Sequence, residues 1–209
     1  MSKRTFVLLL LIAAGGGAWF FRGRSSASIV NDPPRDGPIL AFGDSLTEGH
    51  GAPEGSSYPD QLSRILGRPV INAGVSGNTV EEALARFDRD VLAEKPSVVI
   101  VCLGGNNLLQ RGDPDATFKS LEIVVRRCQE GGALVVLVGV EGLPLISGGY
   151  GPRYARLARS LGCVYVADIL GGIMGNDKLM SDQIHPNAEG YGIFAKRVAD
   201  ALLPYLKKS

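Results

Sequence analysis

Short apolar runs alternate with amphipathic stretches along most of this chain, and no other feature narrows its possible folds as far. Residues 39–42, 70–72, 98–103, 134–140 and 164–167 are rich in Val, Ile and Leu and are bounded by Gly, Pro or Asp. Runs this short and this continuously apolar read as strands buried on both faces. Between them, 57–66, 79–94, 115–130 and 153–161 read as helices. A last helix over 187–206 gathers Ile193, Phe194, Val198, Leu202 and Leu206 on one face. Strand and helix in alternation demand right-handed crossovers, hence an α/β fold with a mostly parallel sheet covered on both sides. Ligands of such sheets gather beyond the carboxyl ends of the strands. The residues that follow each strand are therefore where chemistry is expected.

The chain ahead of residue 37 has a different character. Lys3 and Arg4 precede an uncharged, largely apolar run over 5–21, after which Arg22 and Arg24 appear. A basic start followed by an apolar stretch is the pattern of a secretion signal, and this one stops just short of the roughly 18 residues of a spanning helix. Residues 1–24 are accordingly expected to be a signal peptide or a membrane anchor. The protein is expected outside the cytoplasm, in the periplasm, either attached to the inner membrane through 5–21 or released after cleavage. Residues 25–36, rich in Ser, Asp and Pro, read as a flexible linker, and 37–209 as one domain.

Composition removes several classes of function. The net charge is +1, with Lys and Arg scattered among Asp and Glu, so no basic stripe recommends a nucleic acid as partner. Cys102, Cys128 and Cys163 are odd in number and widely spaced, which suits neither a metal signature nor a disulfide framework. Cys102 and Cys163 lie in or beside apolar runs, where buried thiols are expected. No Gly-x-Ser-x-Gly elbow, dinucleotide fingerprint or phosphate loop is present.

Four clusters of small and polar residues stand where strands should release the chain: Gly43-Asp44-Ser45-Leu46-Thr47-Glu48-Gly49, Asn72-Ala73-Gly74-Val75-Ser76-Gly77, Gly104-Gly105-Asn106-Asn107 and Ser181-Asp182-Gln183-Ile184-His185-Pro186. Acyl transfer needs a nucleophile, a base, a group that orients the base and donors for a developing oxyanion. Ser45, in a Gly-flanked turn, suits the first role. His50 and His185 are the two histidines available as base, and Asp182 lies three residues before His185. Pro186 biases His185 away from helix, as a fixed loop ahead of the last helix requires. Donors are available from the amides of Ser45 and Gly74 and from the Asn106 side chain. His50 reads as an exposed loop residue, and Asp44 as an organiser of its own turn.

In this order and spacing the clusters resemble the SGNH branch of the GDSL hydrolase family, in its bacterial arylesterase, acyl-CoA thioesterase I and lysophospholipase type. The resemblance runs from about residue 39 to the end. It implies Ser45 as nucleophile, His185 as base, Asp182 as orienting acid, and an oxyanion hole of the Ser45 amide, the Gly74 amide and Asn106. It also implies a three-layer α/β/α sandwich with a five-stranded parallel sheet of flavodoxin-like winding, and no metal or organic cofactor. It departs at Asn107, where the family usually has Asp, which bears on the loop over 108–113.

The implied function is hydrolysis of carboxylic esters or thioesters of small-molecule or lipid acyl substrates. Leu108, Leu109, Leu143, Leu145 and Ile146, following the third and fourth strands, are candidates to line an acyl groove. Two alternatives share these residues: an esterase removing acetyl groups from cell-wall sugars, and a non-catalytic binding protein of the same fold.

Overall fold

The computed structural model of the chain describes residues 28–141 and 150–206. The expected leader over 1–24, with its apolar run over 5–21, lies outside the described residues. Among those described, no helix is long and apolar enough to cross a membrane.

Five parallel strands form one sheet: β1 (Ile39–Gly43), β2 (Val70–Gly74), β3 (Val98–Cys102), β4 (Leu134–Val138) and β5 (Val164–Val166), in the order β2-β1-β3-β4-β5. This is flavodoxin-like winding, and the order reverses between β1 and β3. Two short helices follow those two strands directly, α1 (Ser45–Glu48) after β1 and α5 (Gly105–Leu109) after β3. The longer helices are α2 (Tyr58–Leu66), α6 (Pro114–Glu130), α7 (Gly151–Leu161) and α8 (Ala188–Leu206).

The strand period of two sorts the apolar runs into two cores. Ile39, Ala41, Val98, Ile100, Val136 and Val164 face Tyr58 and Leu62 of α2 and Phe194, Val198 and Leu202 of α8. Leu40, Phe42, Val99, Val101, Val135 and Leu137 face Leu121, Val124 and Val125 of α6 and Tyr154 and Ala158 of α7. Both faces are covered, which is why the strands read as continuous apolar runs. Cys102, Cys128 and Cys163 are all buried as free thiols within these cores.

Two expectations are corrected. The helix expected over 79–94 is broken into α3 (Val80–Ala85), α4 (Phe87–Asp90) and a 3-10 turn (Leu92–Glu94). The break falls at Arg86, whose backbone leaves helical geometry and whose side chain turns inward, 9 % exposed. The linker expected over 25–36 is also not free where the structure describes it. From residue 29 to 38 the chain forms a strap across the amino ends of the strands. Asn31 donates to Gln129 O and Ala133 O, Arg35 donates to Pro96 O and Gly131 O, and the Val30 N–H donates to Gly162 O. Those carbonyls stand immediately before β3, β4 and β5 or close the helices that lead to them. The strap supplies donors to these carbonyls, which outweighs the flexibility its composition suggests.

Candidate active site

The site forms at the carboxyl ends of β1 and β3, where the strand order reverses. Gly43, the last residue of β1, has no room for a side chain, since a Cβ there would collide with Thr47 and with Cys102 O. The chain can therefore fold straight from the strand into α1. Asp44 caps that helix, its Oδ1 accepting the Leu46 N–H at 3.1 Å. It is fully enclosed, and desolvation pushes its carboxyl up to about 7 despite the Leu46 amide and the nearby Arg86. This is the turn-organising role read for Asp44 from sequence. Ser45 is thereby the first residue of the helix, its N–H among those with no partner inside the helix.

His185 Nε2 lies 3.0 Å from Ser45 Oγ, and His185 Nδ1 lies 2.7 Å from Asp182 Oδ2. The loop that carries the pair is fixed at both ends. Asp182 Oδ1 accepts the N–H groups of Ile184 and His185, each at 2.8 Å, while His185 O accepts the Ser181 N–H at 2.9 Å. Asn187 then caps α8, accepting the N–H groups of Glu189 and Gly190. Slight desolvation of Asp182 works against its ionisation, but the His185 ring and the two backbone N–H groups prevail and hold the carboxyl down at about 2. It is an anion at any pH at which the imidazole is to be steered.

The three candidate oxyanion donors differ in their present engagements. Asn106 lines the cleft beside Ser45 and donates one amide hydrogen to Asn78 O at 3.0 Å, leaving the second. The Gly74 N–H is held by Asn72 Oδ1 at 2.9 Å, so an oxyanion would draw it from that side chain. Gly74 cannot be larger, because a Cβ would strike the backbone of Thr47 and Glu48 in α1. The end of β2 and the Ser45 turn are thus in direct backbone contact.

Behind these groups stands Arg86, which sequence reasoning did not single out. Its Nη2 donates to Gly43 O at 2.8 Å, Nη1 to Ala73 O at 3.0 Å and to Asp90 Oδ2 at 3.0 Å, and Nε to Asn78 Oδ1 at 2.7 Å. One guanidinium therefore ties together the residues just before Asp44, just before Gly74, and the partner of Asn106. Only the fork geometry of arginine serves several acceptors in this way. In the sequence it is one cation on a stretch read as an amphipathic helix, and nothing marks it as inward.

Asn107 is buried and bonded at both ends of its amide. Its Oδ1 accepts the Val80 N–H at 2.9 Å, and its Nδ2 donates to Glu81 Oε2 at 2.7 Å. Its backbone carbonyl accepts the Gly112 N–H at 2.8 Å, which closes the loop over 108–113.

The apolar wall of the cleft is made of Leu46, Leu109, Val140 and Ile184. Of the groove residues expected from sequence, Leu109 is in this wall. Leu108 is not: it is buried, because adjacent residues of a helical turn point about 100° apart. Leu143, Leu145 and Ile146 lie outside the described residues. His50, read as an exposed loop residue, is exposed, but its ring packs against that of His185 with centroids 4.4 Å apart. Among the described residues, His50, Asp182 and His185 form the one group with donor atoms close enough to share a metal ion.

The chain is similar in sequence and fold to known proteins. The model of the GDSL-like Lipase/Acylhydrolase family matches residues 41–193. The chain is 28 % identical over 184 residues to Esterase TesA of Pseudomonas aeruginosa, covering 80 % of this chain and 89 % of that one. It is 26 % identical over 177 residues to Thioesterase 1/protease 1/lysophospholipase L1 of Escherichia coli (79 % and 83 % covered), and 26 % identical over 203 residues to Acetylxylan esterase of Geobacillus stearothermophilus (76 % and 90 %). A crystal structure of TesA superposes with a TM-score of 0.72 over 81 % of this chain and 99 % of that one, at 28 % identity.

Proposed function

This chain belongs to the GDSL-like lipase/acylhydrolase family and is a hydrolase of carboxylic ester or thioester bonds, and we propose that it acts through an acyl-enzyme on Ser45. The observation that carries the proposal is the unbroken relay from Ser45 Oγ to His185 Nε2 at 3.0 Å and from His185 Nδ1 to Asp182 Oδ2 at 2.7 Å. Ser45 Oγ attacks the acyl carbonyl as its proton passes to His185 Nε2, and the ionised Asp182 stabilises the imidazolium. The carbonyl oxygen, now anionic, takes hydrogen bonds from the Ser45 N–H, the free amide hydrogen of Asn106 and the Gly74 N–H released by Asn72. The imidazolium then gives its proton to the departing alkoxide or thiolate. Water, activated by the same histidine, attacks the acyl-enzyme and regenerates Ser45.

The acyl chain lies along Leu46, Leu109, Val140 and Ile184 in this reading. Each methylene removed from water there contributes about 0.8 kcal/mol, so rates rise from acetyl to medium-chain esters. A p-nitrophenyl ester series from acetyl to palmitoyl, run on the full-length protein and on Ser45→Ala, tests both parts. Loss of at least about 10³-fold in the variant supports the serine mechanism. Turnover equal in both proteins refutes it, and a profile that falls from acetyl onward favours the acetyl-sugar esterase, a reading that the acetylxylan esterase relative also supports. An active-site fluorophosphonate that fails to label the folded protein would point to a binding protein instead.

The same proposal places the enzyme outside the cytoplasm. Lys3 and Arg4 ahead of the uncharged run over 5–21 support export. Fractionation of cells expressing the tagged protein, with and without that run, tests it.

A further inference from the structure

We propose that His50, His185 and Asp182 form an inhibitory zinc site laid over the catalytic relay. Each residue offers a ligand atom, and the three atoms lie within 4.8 Å of one another. Two imidazoles and a carboxylate are a borderline nitrogen and oxygen set suited to zinc among the divalent ions. Bonds to zinc of about 2.0–2.2 Å bring tetrahedral ligands to roughly 3.3–3.5 Å apart, so the set needs to close by little more than about one ångström.

His50 is the member free to supply that movement. Its backbone is held, its N–H donating to Ser45 O at 3.0 Å and its carbonyl accepting the Tyr191 hydroxyl at 2.9 Å. Its side chain is exposed, packs its ring at a tilt against that of His185, and sits between Gly49 and Gly51, both at positive φ. His185 Nδ1 and Asp182 Oδ2 stand 2.7 Å apart and need to part by about 0.6–0.8 Å to admit the ion. The fourth position of a tetrahedral ion would be open to water.

With Asp182 as a co-ligand, the ion sits on His185 Nδ1, the edge that Asp182 Oδ2 faces. There it displaces the Nδ1 proton and leaves the ring with N–H at Nε2, facing Ser45 as a donor. His185 then no longer acts as a base, and hydrolysis stops until the ion leaves.

The inhibition rests on the role given to His185 above; the binding does not, and the two are measured separately. Zinc chloride is titrated into the full-length protein and into His50→Phe, which keeps a ring against His185, by calorimetry and in the p-nitrophenyl butyrate assay. Thermal transitions without metal establish that the variant is folded, and His50→Gln serves if it is not. We expect one zinc per wild-type chain, inhibition reversed by EDTA and no effect of magnesium. Since outer-shell partners alone are worth about 10–100-fold in metal affinity, losing a ligand should raise the zinc needed by about tenfold or more in the variant. Equal binding by the folded variant overturns the site, as does inhibition unchanged in it. A wild type that binds zinc through His50 but hydrolyses nothing without it refutes the acyl-enzyme reading and leaves the site standing.

Discussion

Replacing Asn107 by Asp, the residue usual in the family, should damage this protein, because Glu81 has been built around the amide. Asn107 is 8 % exposed and gives Nδ2 to Glu81 Oε2 at 2.7 Å. Glu81 is slightly desolvated, which works against its charge, yet hydrogen bonds from Ser120 and Asn107 hold its carboxyl below its ordinary value. The substitution keeps the acceptor for the Val80 N–H but removes a hydrogen bond to a charged acceptor, worth about 1.5–3 kcal/mol. Two carboxylates about 3 Å apart also repel by about 5 kcal/mol at an effective dielectric of 20 and by about 1.4 kcal/mol in bulk water. Glu81 is exposed on its outer side, so the lower part of that range applies. Proton uptake sets a ceiling: protonating one carboxyl at pH 7, some three units above its reference value, costs about 4 kcal/mol.

The expected loss for Asn107→Asp at pH 7 is therefore about 3–4 kcal/mol of stability. Its sign with pH follows from linkage. The pair raises a carboxyl pKa in the folded state, so the native protein binds a proton that the unfolded chain has released, and stability lost at pH 7 returns as pH falls toward about 4. Urea denaturation at pH 7 and pH 4.5, with Glu81→Gln as the second substitution, reads all of this. The double variant should recover most of the loss at pH 7. A single variant within about 0.5 kcal/mol of wild type at pH 7, the scatter of ordinary surface changes, would refute the reasoning. So would a double variant no better than the single one.

Arg86→Leu should cost about 1–3 kcal/mol, since Ala73 O and Asn78 Oδ1 lose its hydrogen bonds, while Gly43 O keeps the Val75 N–H and Asp90 keeps Arg89. Because Asn78 loses its partner and in turn positions Asn106, kcat should fall by more than KM rises. Arg86→Lys should recover little of either, which steady-state kinetics and denaturation together check. Asp182→Asn keeps an acceptor for the Ile184 and His185 N–H groups but turns its amide hydrogens toward the imidazole, so kcat should drop about 10²–10⁴-fold with the fold retained. Asp182 is depressed to about 2 in the native state. Its share of stability is present above the unfolded value of about 4 and is lost as pH falls through about 2. Difference denaturation curves of wild type and Asp182→Asn should accordingly converge at the acid end, and parallel curves would contradict the assignment.

The layered sheet and the positions of Ser45, Asp182, His185, Gly74 and Asn106 were legible because both rest on signals local in sequence. A parallel sheet writes itself as apolar runs, and a site at strand ends writes itself as small and polar residues just after them. What could not be read depends on contacts far apart along the chain. The inward turn of Arg86 is decided by the carbonyls of Gly43 and Ala73. The partnership of Asn107 with Glu81 spans two elements, and the same is true of the His50 ring tilted against that of His185. Residues 29–38 have a linker's composition, and only the carbonyls at the foot of β3–β5 reveal why they lie flat.

That strap also gives the molecule a direction. The chain enters at the foot of the sheet, while the cleft opens at its head, with strands of five residues, roughly 16 Å of backbone, between them. Anything fastened upstream of residue 29 holds the protein by its base.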